Sequence, residues 1–574
     1  MPTIHSTRSL LICLAAGLLA SPLVHAVSDD RGSHSGTYRG RILTEQFLHE
    51  QSVARRGKRK IAGLDPEPAG VVRPDVGNIA VIDASDGVVI EPNTLDLRDL
   101  SIHFIPNQSS YSAASSATAF NDEARDNGIA LTLGDDDAQA VSLPFPFPYF
   151  GRTQTQVFAH SDGNLTFAEP EASSTTRSLA RAASGPPRVA PLFSDLDPSR
   201  VGTPVSTYST ADRFLVTWDA VPIFTSAGVG ARQTFQLVLH RDGAIDFHYR
   251  ALLITEAVVG IMPGFLEGSA ATVDFSEGAP GPIDGALAEI FAVSRSLDTF
   301  ASGQKFYQNH DDAYDFLVVF NSVGLSVGGT AFAFELNVRN EVLGIGELLG
   351  ERAVVDFGPQ FGSARRLQSY MNMGPLMNYP ADPLGHIFTL GENNTLSVIT
   401  HEAGHRFLSY VDFIDPATGL RSDALLGRQG AHWSFFLHTD ASVLEGNRID
   451  DRAMTTPRFL TIGTVEHYSE LDQYLMGFRS ADEVTPTFLV DQPINFQQGT
   501  RSAASAPQTG ISFDGERKEI TVDMIIDAEG ERIPDASVSQ RKFTFAFVLL
   551  VDTGSEPSEA DIQKLENIRA EWEA

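Results

Sequence analysis

A single cysteine, Cys13, limits this chain more than any other feature of its sequence. It lies inside a stretch that reads as a removable leader, so the mature protein is expected to have no disulfide, no cysteine nucleophile and no thiolate metal site. Any metal must then be held by His, Asp or Glu. The leader is residues 1–26, with Arg8 in a short n-region, an apolar run over 10–20, and a small-residue closing site at Val24-His25-Ala26. Cys13 lacks the surroundings of a lipoprotein box, so no lipid anchor is expected. No later run reaches about 18 unbroken apolar residues, so no membrane span is expected either. The expected location is outside the cell or in the periplasm, and a disulfide-free exported chain points to a bacterial exporter.

With 42 Lys+Arg against 73 Asp+Glu the formal charge is −31, which argues against a phosphate backbone or an anionic membrane as partner. The 42% hydrophobic and 20% charged content excludes a mainly disordered chain, and 574 residues predict several domains. Residues 27–115 show no strong periodicity. They contain a basic knot at 55–60 (RRGKRK) in an otherwise acidic protein, and read as a linker or as a pro-segment clipped at that knot.

From 116 to 290 the pattern changes to short alternating runs cut by Gly, Pro, Asp and Asn. Strands are predicted at 129–133, 156–159, 164–167, 213–218, 234–239, 244–249 and 257–261. Ser161-Asp162-Gly163-Asn164 and Arg241-Asp242-Gly243 supply hairpin turns in which glycine takes the positive φ. Strands at this spacing predict an all-β antiparallel sandwich or barrel. The stretches at 143–147 (LPFPF), 158–167 (FAHSDGNLTF) and 190–197 (APLFSDLD) resemble a nidogen-like extracellular β domain. The resemblance continues at 214–218 (FLVTW), 235–239 (FQLVL) and 259–261 (VGI). It implies a binding or spacing module, with an extracellular matrix or surface protein as partner. Two acidic clusters, Asp135-Asp136-Asp137 and Asp195 with Asp197, have the oxygen donors that Ca²⁺ takes. They match neither an EF-hand nor a glycine-rich calcium repeat, and read equally as solvated turn residues.

The chemistry is expected at 291–574, in the run 395–408 (TLSVITHEAGHRFL). Asn393 or Asn394 can cap a helix here, and Leu396, Ile399, Ala403 and Phe407 recur at near-helical spacing. His401 and His405 lie four apart, so their rings share one helical face and can take two corners of a tetrahedral Zn²⁺ site. Glu402 points about 100° round the helix, away from a ligand position but within reach of a water on the metal. Given the histidine and glutamate content, an H-E-x-x-H is expected by chance roughly 0.02 times in such a chain.

The third ligand is less legible. Val411 stands where a metzincin would place it, and Leu408 where that pattern has glycine, so a donor from a distant element is needed, as in thermolysin-like zincins. Three candidates follow: Asp472 and Glu470 in 468–477 (YSELDQYLMG), and His432 in 430–434 (GAHWS). The 468–477 stretch resembles F/Y-S-x-L-E/D-x-Y-L-M-G of a group of exported bacterial H-E-x-x-H proteins, and that resemblance puts its acidic position on Asp472. Asp472 is therefore placed first, then His432, then Glu470. Against this, Ser469 with Asp472 also reads as an S-x-x-D capping box. His432 has a second reading as donor to the oxyanion of a tetrahedral intermediate. His438 and His467 read as structural.

Around this motif an α+β, zincin-like domain is expected. Strands are predicted at 315–320 (DFLVVF) and 331–338, an apolar strand or helix at 542–551, and a final helix opened by Ser558. Together these features resemble an exported bacterial zincin-type metallopeptidase carrying one catalytic Zn²⁺. His401, His405 and Asp472 would be ligands, Glu402 the general base and His432 the oxyanion donor, acting on a protein or peptide. The competing expectation is a secreted adhesive or matrix-binding protein whose zincin domain is inactive or structural; a third is a hydrolase of non-peptide amides.

Overall fold

The computed structural model describes residues 74–574 except 172–175, 203, 226–227, 268–270, 278–280, 328–330, 346–354 and 408–410. The expected signal segment and the basic knot lie outside the described residues. The chain is mostly β, and among the described residues no helix is long and apolar enough to cross a membrane.

The predicted β region forms two seven-stranded sheets, antiparallel but for one short pair. In one sheet Arg213–Pro222 and Arg232–His240 lie side by side. Their Trp218 and Phe235 are cross-strand partners with rings stacked 5.0 Å apart. The sheets share one core, with Phe104, Trp218 and Phe247 from the first and Val157, Val189 and Ile261 from the second. The turn at Gly163 requires glycine twice over: its φ is +66°, and a Cβ there would lie 2.4 Å from the Leu192 carbonyl oxygen.

The remaining chain is built on a five-stranded sheet. Its strands are β1 (Ala80–Asp83), β2 (Phe316–Asn321), β3 (Phe334–Asn337), β4 (Ser369–Pro375) and β5 (Phe545–Val551). The order is β1-β5-β2-β4-β3, parallel throughout except for the edge strand β3. Parallel strands buried on both faces read as continuous apolar runs, which is why 316–320 and 545–551 do not alternate. One face carries α1 (Thr299–Tyr307), whose Phe300 and Phe306 pack on Leu317, Val319 and Tyr370. The other carries α2 (Thr395–His405) and the C-terminal α4 (Glu559–Glu573), whose Val398, Ile399, Leu565 and Ile568 pack on Val318, Met371 and Leu549. A separate four-stranded sheet runs in the order Asn447–Asp451, Phe459–Thr464, Ser512–Ile520, Thr487–Ile494. Its core takes in Trp433, Phe435 and Phe513, with Leu471, Tyr474 and Leu475 of α3 (Glu470–Leu475).

The sequence-based boundaries differ from this arrangement in one respect. Residues 80–83, expected in a linker, are β1, an edge strand of the C-terminal sheet paired with β5 near the other end of the chain. The chain then leaves along Val89–Ile90 and returns along Ser296–Leu297, which pair antiparallel. The β sandwich is thus inserted within the C-terminal domain, and its first hairpin, Leu100–Asn107 with Ser110–Ala117, begins in the expected linker and crosses the expected boundary at 115/116. Four buried residues pairing only with a remote strand leave no local period to read. A buried ion pair fastens β1: the Lys305 ammonium on α1 donates to Asp83, to Ser85 Oγ at 2.6 Å and to Asp86 at 3.0 Å. Removing one member of a buried pair strands the other, so Lys305→Ala is expected to cost about 3 kcal/mol. Urea unfolding followed by tryptophan fluorescence would measure it.

Candidate functional site

The helix α2 starts where the sequence predicts. Asn394 Oδ1 accepts from the Ser397 amide at 2.9 Å and Ser397 Oγ accepts from the Asn394 amide at 2.9 Å, a reciprocal capping box. Its apolar face holds it on the sheet, and its other side turns His401 and His405 toward a cavity of about 750 Å³. Gly404 lets a neighbouring segment approach: a Cβ there would lie 2.9 Å from Leu444 and 3.1 Å from Tyr468.

Three imidazoles converge at this cavity. His401 Nε2 lies 3.0 Å from His405 Nε2 and 3.3 Å from His432 Nε2, and all three ligand atoms fall within 4.8 Å of one another. Nitrogens sharing a tetrahedral zinc at about 2.1 Å stand about 3.4 Å apart. His401 Nδ1 lies 2.8 Å from the Val443 carbonyl oxygen and His432 Nδ1 lies 2.8 Å from that of Arg428. Only a protonated Nδ1 can make those bonds, so both rings present the Nε2 lone pair to the common point. Burial lowers the pKa of all three rings. For His405 the neighbouring His401 and His432 push further the same way, and for His432 so do His401 and Arg428. Neutral imidazoles with converging lone pairs are the donor set a divalent transition metal takes. Glu402, 5% exposed, lines the same cavity.

The third member of the cluster is thus His432, and the sequence-based order of candidates is corrected. Asp472, placed first, is not among the converging groups. Its Oδ1 accepts from Trp433 Nε1 at 2.7 Å, and its Oδ2 accepts from Ser442 Oγ at 2.6 Å and the Ser469 amide at 2.7 Å. The capping box at Ser469 is present and both carboxylate oxygens are occupied. Trp433 follows His432 and Ser442 precedes Val443, so this one buried carboxylate braces both segments that fix the rings. Glu470 accepts from the amide and hydroxyl of Thr485 at 2.8 and 2.6 Å, at the surface. His438 stacks on Phe488 at 4.9 Å, and His467 pairs with Asp440 at 3.3 Å. With Nδ1–H bound to a carbonyl and Nε2 turned into the cluster, His432 has no proton to give an oxyanion.

Two residues the sequence reading did not single out complete the site. Arg428 donates through Nε to Glu445 Oε2 at 3.1 Å and through Nη2 to Glu445 Oε1, and that Nη2 lies 3.2 Å from His432 Nε2. Glu445 holds a left-handed backbone (φ +64°), a strained conformation that recurs at functional sites. Neither sits in a periodic element, and the Glu445-Gly446 turn was the one local signal.

The family model described as NIDO-related matches residues 110–287. That stretch is a nidogen-like β domain. No curated protein and no solved structure matches the chain. The acidic clusters belong to the nidogen-like domain. There Asp135, Asp136 and Asp195 bring ligand atoms within 4.8 Å of one another, while Asp137 caps its own turn through the Gly134 and Ala138 amides and Asp197 binds Arg200. The Arg177 guanidinium lies among the clustered carboxylates, donating to Asp136, to Asp162 at 2.9 Å and to Asp195 at 3.0 Å. A cation is thus already supplied where the sequence left room for Ca²⁺.

Proposed function

We propose that the chain is a secreted or periplasmic zinc-dependent metallopeptidase, with a zincin-like α+β catalytic domain into which the nidogen-like domain is inserted. The observation carrying this reading is that backbone carbonyls at Val443 and Arg428 turn two neutral imidazole lone pairs onto the point that His405 faces, beside a buried carboxylate. His401, His405 and His432 would hold the ion. A bound zinc would acidify a water and polarise a carbonyl. Glu402, which lines the same cavity, takes the water proton and passes it to the departing amine.

The cavity wall favours a peptide. Residues 331–335 and Asn337 line it, and β3 among them is a sheet edge paired only with β4 among the described residues. An edge strand offers a row of main-chain donors and acceptors to an extended chain. The nidogen-like domain is then a binding or spacing module toward an extracellular matrix or surface protein.

Calorimetric titration of chelator-treated protein with Zn²⁺ should show one ion per chain, and casein cleavage should vanish with the metal and return with it. A protein that takes up no stoichiometric zinc overturns the reading.

A further inference from the structure

We propose that the nidogen-like domain carries a second hydrolytic site, in which Ser116, activated by His103 and Asp246, takes an acyl group from a carboxylic ester. The proposal stands apart from the peptidase reading and goes beyond a binding role for this domain.

Strand alternation builds the site. Ile102, Phe104, Ile245 and Phe247 point into the sandwich core, so His103 and Asp246 between them stand on the opposite face. The two are direct cross-strand partners, and His103 Nδ1 lies 2.7 Å from Asp246 Oδ1. Beyond His103 runs the edge strand Ser110–Ala117, whose exposed Ser116 places Oγ 2.8 Å from His103 Nε2. Burial raises the Asp246 pKa, but hydrogen bonds from His240 and His103 outweigh it and hold it below its ordinary value. The group is therefore a carboxylate and can only accept. His103 must then carry its proton on Nδ1, which turns the Nε2 lone pair to the Ser116 hydroxyl. The other acceptor near that hydroxyl is the Ala117 carbonyl, farther off at 3.2 Å. His240 Nε2 lies 2.7 Å from Asp246 Oδ2 and fixes the rotation of the carboxylate. The Tyr111 amide pairs outward with Ile283 and the Thr118 amide inward with Asp99, so by alternation the Ala117 amide points away from the sheet. That N–H follows the nucleophile in sequence, where an oxyanion donor is wanted. The neighbouring Ser101 and His248, 2.6 Å apart, are closed to a substrate, because Ser101 is buried and its Oγ accepts from the Ala119 amide.

The step needs only the ester and water. Ser116 Oγ bonds to the ester carbonyl carbon as its proton passes to His103 Nε2, and the carbonyl π pair moves onto oxygen beside the Ala117 N–H. The pair returns, the ester C–O bond breaks, and the alcohol leaves with the proton from His103. Water then attacks the acyl-serine in the same way, which releases the acid and restores the hydroxyl. Ser116 and His103 are catalytic residues; Asp246 and His240 are positioning residues.

The experiment uses the full secreted chain, chelator-treated and carrying Glu402→Gln so that the three-histidine site is silent. An alkyl fluorophosphonate should label Ser116 and not Ser101, as peptide mass spectrometry would locate. Hydrolysis of p-nitrophenyl acetate should fall to the solvent rate in Ser116→Ala and by about 10²–10⁴-fold in His103→Ala. Asp246→Asn should lower kcat with KM nearly unchanged, because it upsets the tautomer and not the surface the ester meets. His240→Ala should lower kcat in the same manner, and His240→Gln, which keeps a donor toward Oδ2, should recover part of it. An unlabelled Ser116, or a Ser116→Ala chain that hydrolyses the ester as fast as its parent, overturns the proposal. Neither result bears on zinc uptake or casein cleavage by the wild-type chain, so the peptidase reading stands or falls separately.

Discussion

Glu402→Gln is expected to bind zinc like the wild type and to lose hydrolysis by about 10²–10⁴-fold, the range of general acid–base assistance. The substitution preserves shape at a buried position, 5% exposed, on a helix whose cap and apolar face lie elsewhere, so folding should survive. It removes the ability to take a proton from water and to deliver it to the leaving nitrogen, and both transfers disappear together. Two of the rings that would carry the ion, His401 and His432, are oriented by the Val443 and Arg428 carbonyls and not by Glu402. Parallel zinc titration and peptide turnover separate the two effects. Residual activity near wild type would move the base to another carboxylate of the cavity, of which Glu445 is the nearest to His432.

What the sequence revealed and what it hid divide by the range of the interactions. The ends and faces of α2 follow from Asn394, Ser397 and an apolar stripe, all within a few turns of the chain. The sandwich strands follow from alternation between glycine turns, as at Gly163 and Gly243. In contrast β4 reads Ser-Tyr-Met-Asn-Met-Gly-Pro and is buried at all seven positions, with neither period nor β-branched residues to mark it. The partner of β1 lies near the far end of the chain, so the insertion of one domain within another is invisible without coordinates. At the site, a local pattern gave two rings, but the third depended on which of two buried polar residues turned inward. Asp472 and His432 are both almost fully buried, at 1% and 3% exposure, and only the network of Trp433, Ser442 and Ser469 shows which is the brace.

That distinction gives the second large effect. His432→Ala should weaken zinc binding by more than about 100-fold, beyond the 10–100-fold typical of residues that only support ligands. Asp472→Asn should fall within that supporting range and also lower stability by about 1–3 kcal/mol. The reason lies in hydrogen-bond polarity. Asp472 accepts from an indole N–H, a hydroxyl and an amide, and an Asn can accept on only one side, so at this buried position its NH₂ faces a donor. Trp433 and Ser442 then loosen, and with them the backbone on which His432 and the Val443 carbonyl ride. Zinc titration distinguishes the roles: His432→Ala loses metal beyond the supporting range, and Asp472→Asn stays within it, while urea unfolding measures the stability each loses. If instead Asp472→Asn abolished metal binding and His432→Ala spared it, the carboxylate would have to leave three hydrogen bonds to reach the ion, and the triangle of imidazoles would not be the metal site.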